Sequence, residues 1–104
     1  MRRQANSKRL YDCAVLDRRG DRIGSVKRVW LDDHTGRPRW ASVHTGLIGS
    51  ETFVPLQGAR VGVGHITVHV DKERVQDAPH VHVRDHHLSP DEDARLCRHY
   101  GVEL

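Results

Sequence analysis

Large rings are scarce in this chain of 104 residues: two tryptophans, two tyrosines and one phenylalanine. The core must therefore be built mainly from Val, Leu and Ile, and any place where rings gather is informative. Cysteine is as sparse, since Cys13 and Cys97 do not form a CxxC pair. Arg2 and Arg3 are followed by no apolar run, so no signal peptide is expected and a reducing cytoplasm is the expected compartment. No stretch approaches the roughly 20 apolar residues that cross a bilayer, so a soluble chain is expected. A strong charge of one sign is also missing: 17 basic residues against 14 acidic leave only +3. The basic pairs Lys8-Arg9, Arg18-Arg19, Lys27-Arg28 and Arg37 with Arg39 are scattered, most with acids nearby, which permits nucleic-acid binding without indicating it.

What is present is organised around residues 26–46, VKRVWLDDHTGRPRWASVHTG. Two runs suited to strands flank Asp33-His34-Thr35-Gly36, the pattern of a hairpin. A three-residue loop closed by Gly36 in the left-handed conformation sets Asp33 opposite Arg37 and Trp30 opposite Trp40. Val29 and Leu31 then share one face with Ala41 and Val43, and the tryptophans share the other, so both faces need cover.

Residues 1–9 read as a flexible lead-in. Cys13 to Leu16 is a short strand stopped by the turn residues Asp17 to Asp21. From Ile23 to Leu31 the apolar phase changes between Val26 and Val29, which with Gly24 predicts a bulged strand bending the sheet toward closure. Glu51 to Leu56 is a strand ended by proline, with Phe53 in the core. Residues 57–62 and 65–70 pair next, with Ile66, Val68 and Val70 inward and His65, Thr67 and His69 outward. Asp71 to Val75 fits a helical turn that Pro79 stops. His80 to His87 leaves the sheet as an extended segment. Ser89, Pro90 and Glu92 then make a capping box, and Gly101 ends the helix. Leu96, Cys97 and Tyr100 form its narrow apolar stripe, so this helix must dock to be stable. A mainly β curled sheet or small barrel with a C-terminal helix is the architecture these signals predict.

The inventory for chemistry is poor. Asp32, Asp33, Asp71 and Asp77 suit turns and caps better than paired acid and base roles. Gly62 and Gly64 give only GVG, without the length of a phosphate loop. Cys13 and Cys97 fall at core positions, where a thiol packs. No catalytic residues and no cofactor are assigned, and an enzyme is the least favoured class. His80, His82, His86 and His87 are spaced closely enough to attract zinc, nickel or copper, yet no Cys pair or HExxH helix completes a metal site.

The tryptophan pair is the strongest local signal. Each indole buries about 150–250 Å², on the order of 4–6 kcal/mol as an upper bound. Either the C-terminal helix lays Leu96 and Tyr100 over Trp30 and Trp40 within one chain, or the rings face another subunit or protein, oriented by Arg37 and Arg39.

The order of features also resembles a known family. Asp17 with Gly20 and Ile23-Gly24, Val29-Trp30-Leu31-Asp32-Asp33 with Thr35-Gly36, Pro38 and Trp40, then Thr45-Gly46-Leu47, Phe53-Val54-Pro55-Leu56 and Ala78-Pro79 resemble the PRC-barrel family. That family includes the cytoplasmic domain of the photosynthetic reaction-centre H subunit and a domain of a ribosome-maturation factor. The ending from Leu88 to Gly101 is similar to that of a bacterial subgroup in which the barrel is the main unit. The resemblance implies a PRC-type β-barrel of about six strands over residues 10–80, with 81–104 as linker and C-terminal helix packing on the barrel or on a partner. It implies a non-catalytic protein-interaction module, and self-association as a homodimer is the most concrete expectation. An RNA- or ribosome-associated adaptor is the alternative, with a histidine-mediated metal-responsive module behind it. Neither a membrane helix nor a second domain is expected beside the barrel, so the roles of those two relatives are not expected to carry over.

Overall fold

The computed structural model describes residues 2–5, 12–32, 34–44, 51–79, 81 and 87–102. The hairpin at its centre joins β3 (Arg22–Leu31) to β4 (Pro38–His44). Trp30 stands opposite Trp40 and Val29 opposite Ala41, the register expected from the sequence. The loop closes differently: the Asp32 N–H donates to the Arg37 carbonyl and the Gly36 N–H to the Asp32 carbonyl. Gly36 is left-handed at φ 72° as expected, while Asp33 lies outside the described residues. A bulge between Trp30 and Leu31 absorbs the difference, because Leu31 pairs with Pro38 and Arg39 becomes the extra residue. The second bulge falls between Val26 and Arg28, where the apolar phase changes.

β5 (Glu51–Pro55) continues the sheet from β4, setting Phe53 opposite Ser42 and Val54 opposite Ala41. Directly opposed residues share a face, so Trp30, Trp40, Ser42 and Phe53 lie on one side. Ser42 is small, which lets the Trp30 and Phe53 rings meet across β4 at 5.8 Å between centroids. On the opposite side, Val29, Ala41, Val43 and Val54 are fully buried. Both faces of the hairpin are therefore covered.

On its other side β3 pairs with β2 (Ala14–Leu16) across a further bulge. Here a glycine is obligatory, since a Cβ at Gly24 would stand 2.1 Å from the His44 carbonyl oxygen. β6 (Arg60–Val61) and β7 (His65–Thr67) form the short hairpin expected, and β7 runs parallel to β2. Ile66 and Val68 point into the core, and His69 is exposed. α1 (Lys72–Gln76) follows. Asp17 ties it to the first turn: its buried carboxylate accepts from the backbone N–H groups of Arg19, Asp21 and Lys72 at 2.9–3.0 Å. Burial pushes this carboxyl toward protonation, but the three donors and the Arg19 charge outweigh it and hold its pKa below the ordinary value.

Two features differ from the sequence reading. Arg2–Ala5, expected to be a loose lead-in, forms β1, which pairs with β3 and with β8 (His87–Leu88). The expected barrel is mainly β, as predicted, but not closed: the six-strand path runs β5-β4-β3-β2-β7-β6, and no ladder joins its ends among the described residues. The chemistry at β5 explains this. Pro55 has no N–H to offer, and the Phe53 carbonyl accepts from the Tyr100 hydroxyl, so a helix covers that edge instead of a strand.

That helix is α2 (Pro90–Tyr100), built as the capping signals predict. The Ser89 hydroxyl accepts from the Glu92 N–H at 3.2 Å, Pro90 occupies the first turn, and Gly101 closes the helix in the left-handed conformation. Val102 N–H returns to the Cys97 carbonyl. Leu96 is fully buried, and Cys97 and Tyr100 nearly so.

Candidate functional site

The turn after β3 is held by its own side chains. Asp32 Oδ1 accepts from the His34 and Thr35 N–H groups, and Thr35 Oγ1 accepts from the Arg37 N–H. This leaves Arg37 and Pro38 exposed at the rim of the hairpin. One residue on, the bulge turns Arg39 out of the regular alternation. Arg39 and Trp40, neighbours in sequence, consequently reach the same acid on α2.

That acid is Asp93, whose side chain is only 5% exposed. Its Oδ1 accepts from Trp40 Nε1 at 2.5 Å and from Arg39 Nε at 2.9 Å, and its Oδ2 accepts from Arg39 Nη2 at 3.2 Å. The guanidinium also lies 3.1 Å from Cys97 Sγ, 3.6 Å from Asp32 and 5.8 Å from the Trp40 ring centre. Burial alone would lower the pKa of Arg39, but its hydrogen bonds and ion pair with Asp93 raise it above the ordinary value. Seven residues along α2, the Tyr100 ring packs 6.1 Å from that of Trp40. Burial raises the pKa of the Tyr100 phenol, which remains a neutral donor to Phe53. α1 adds a polar clasp, in which Arg74 Nη1 donates to the His99 carbonyl and His99 Nε2 meets the Arg74 carbonyl at 2.7 Å.

The structure thus gathers most of the residues singled out as partner contacts into one junction. Arg39 and Trp40 meet α2 through Asp93 and Tyr100, Leu96 is buried on the same helix, and the Trp30 ring packs on Phe53, whose carbonyl accepts from Tyr100. Trp30, Trp40 and Leu96 have no exposed surface. Arg37 alone among the six is open to solvent. It stands on a cleft of about 370 Å³ walled by Pro38, Trp40, Pro55, Leu56 and Val102. Of the histidines considered for metal, His80, His82 and His86 lie outside the described residues, and His87 lies in β8 opposite Arg3. No group of three or more His, Cys, Asp or Glu side chains is placed to hold a metal ion among the described residues. None of their helices is long and apolar enough to cross a membrane.

Asp93 is the residue that sequence reasoning missed. The apolar stripe read from the sequence leaves it out, although with Leu96, Cys97 and Tyr100 it follows the i, i+3, i+4, i+7 spacing of the docked face. An acid on an otherwise apolar stripe, facing a hairpin that carries Arg and Trp, was the available signal.

Comparison with known proteins places this arrangement. A family model described as PRC-barrel domain matches residues 4–75, more than half of the chain. No curated protein matches it. The matched span contains Arg39, Trp40 and Phe53, the seat of α2, and ends before α2 itself.

Proposed function

Because the chain belongs to the PRC-barrel family, we propose that it is a non-catalytic protein-interaction module of the cytoplasm that self-associates as a homodimer through the hairpin end of the sheet. PRC-barrel domains are small β modules, generally non-catalytic and often used for interaction. The observation that carries the reading is the cleft beside the α2 junction. An exposed arginine stands over a wall of proline and leucine next to a buried tryptophan. Arginine is among the side chains on which interface energy concentrates, and a preformed recess that joins Pro38, Pro55 and Leu56 to the polar Asp32 and Gln57 offers a partner's side chain both apolar and polar contacts.

Sedimentation velocity across micromolar concentrations tests it. The expected result is a species of twice the 11.9 kDa chain mass. Arg37→Ala is expected to weaken association by about tenfold, with an unchanged melting temperature because Arg37 is exposed. A species of 11.9 kDa at every concentration would remove the homodimer.

A further inference from the structure

We propose that the cleft beside Arg37 receives the start of α2 from a second copy, so that Asp91 of each chain pairs with Arg37 of the other across a two-fold axis. This rests on the homodimer reading above and names the residues that join the two copies.

Charge selects the occupant. Of the three charged side chains on the cleft, two are already engaged. Asp32 accepts from two backbone N–H groups and lies 3.6 Å from Arg39, and Arg39 is bound to Asp93. Arg37 contributes only its backbone to the turn, and its exposed guanidinium has no ionic partner among the described residues. The cleft therefore suits a carboxylate that arrives beside an apolar group, the one for Arg37 and the other for Pro38, Pro55 and Leu56.

The start of α2 offers that combination. Pro90 and Asp91 are adjacent and both exposed, and the Asp91 carboxylate has no ionic partner among the described residues. A helix turns about 100° per residue, so Asp91 points away from the hairpin that Asp93 faces two residues later. It is thus presented outward, to another molecule.

The placement of the two charges favours a second copy. Arg37 comes two residues before Arg39 and Asp91 two before Asp93, so the unpaired cation and the unpaired acid flank the one ion pair that joins hairpin to helix. A two-fold axis that brings Arg37 of one copy to Asp91 of the other forms the reciprocal pair as well. Each pair is then set against proline and leucine, where opposite charges fix register and like charges are excluded.

Complementary reversals test the contact. Arg37→Glu sets acid against acid at both contacts of its homodimer, and Asp91→Arg sets base against base. Both positions are exposed, so each variant is expected to fold with a melting temperature close to that of the unaltered chain. Sedimentation velocity should show each dissociation constant raised by about a hundredfold, from two equivalent contacts. Mixed 1:1, the two variants should form a heterodimer with opposite charges at both contacts and a dissociation constant restored toward that of the unaltered chain. A mixture that sediments as the sum of its parts overturns the proposal. Should Asp91→Arg disturb the first turn of α2, Asp91→Asn keeps its size and is expected to raise the dissociation constant by about tenfold; no change overturns the proposal. An unaltered chain that dimerises with a constant indifferent to all three substitutions refutes this contact alone. One that stays monomeric at every concentration refutes the homodimer as well.

Discussion

Asp93→Ala is expected to cost about 3–5 kcal/mol of folding stability, the range for breaking a buried ion pair by removing one partner. The magnitude follows from what is left behind. Arg39 keeps its charge with 14% of its side chain exposed, and the Trp40 N–H loses its acceptor inside a fully buried ring system. A domain of this size has a total stability of about 5–15 kcal/mol, so the variant should lie close to its unfolding midpoint at ordinary temperature. Asp93→Asn keeps an acceptor for the indole while losing the charge, and should cost less. Arg39→Met combined with Asp93→Leu should cost less than Asp93→Ala, because no charge is then stranded. Arg95→Ala, exposed on the same helix, should shift stability by less than about 0.5 kcal/mol. Urea denaturation of the four proteins beside the unaltered chain reads these differences directly.

Asp17→Ala should be the second most damaging change, at about 3 kcal/mol. It strips the acceptor from three backbone N–H groups in the turn between β2 and β3 and at the start of α1, each worth about 1–3 kcal/mol when buried and unmet. The same site makes stability depend on pH. Burial acts to raise its pKa, but the donors from Asp21, Lys72 and Arg19 leave it depressed on balance. A carboxyl with a depressed folded pKa contributes fully above its unfolded value of about 3.9, and that contribution is lost as pH falls through the folded value. Stability measured from pH 7 downward should therefore fall on the acid side below about pH 4. Asp17→Asn should flatten that limb while lowering the plateau. An acid limb as steep in the variant as in the unaltered chain would show that other carboxylates carry it.

Much of this was legible in the residues. The opposition of Trp30 and Trp40 was legible in the hairpin pattern, although the chain reaches it through a bulge at Arg39 that the sequence did not mark, and the bulge near Lys27 followed from a single slip in apolar phase. Ser89, Pro90 and Gly101 marked α2 to the residue because caps are local chemistry. The parallel pairing of β2 with β7 was not legible, since residues some 50 apart in sequence meet there without a local marker. β1 was missed for a similar reason: Arg2-Arg3-Gln4-Ala5 has no strand pattern of its own and is ordered by the edges of β3 and β8. The expectation of a closed barrel rested on bulges that bend a sheet, but bending does not supply a partner for a strand that ends in proline and is covered by a tyrosine hydroxyl. Asp93 was overlooked because acids near a helix N-terminus are usually solvated and dipole-favoured, and only the facing Arg39 and Trp40 give this one a buried role.

The central physical claim is that the tryptophan face of the sheet is sealed by α2 through one buried acid. Hydrogen exchange of the Trp40 indole N–H, followed by NMR and assigned with Trp40→Phe, tests it most directly. The account predicts strong protection in the unaltered chain that collapses in Asp93→Ala while remaining in Arg95→Ala. Exchange of the Trp40 indole at the rate of a free indole in the unaltered chain would contradict it.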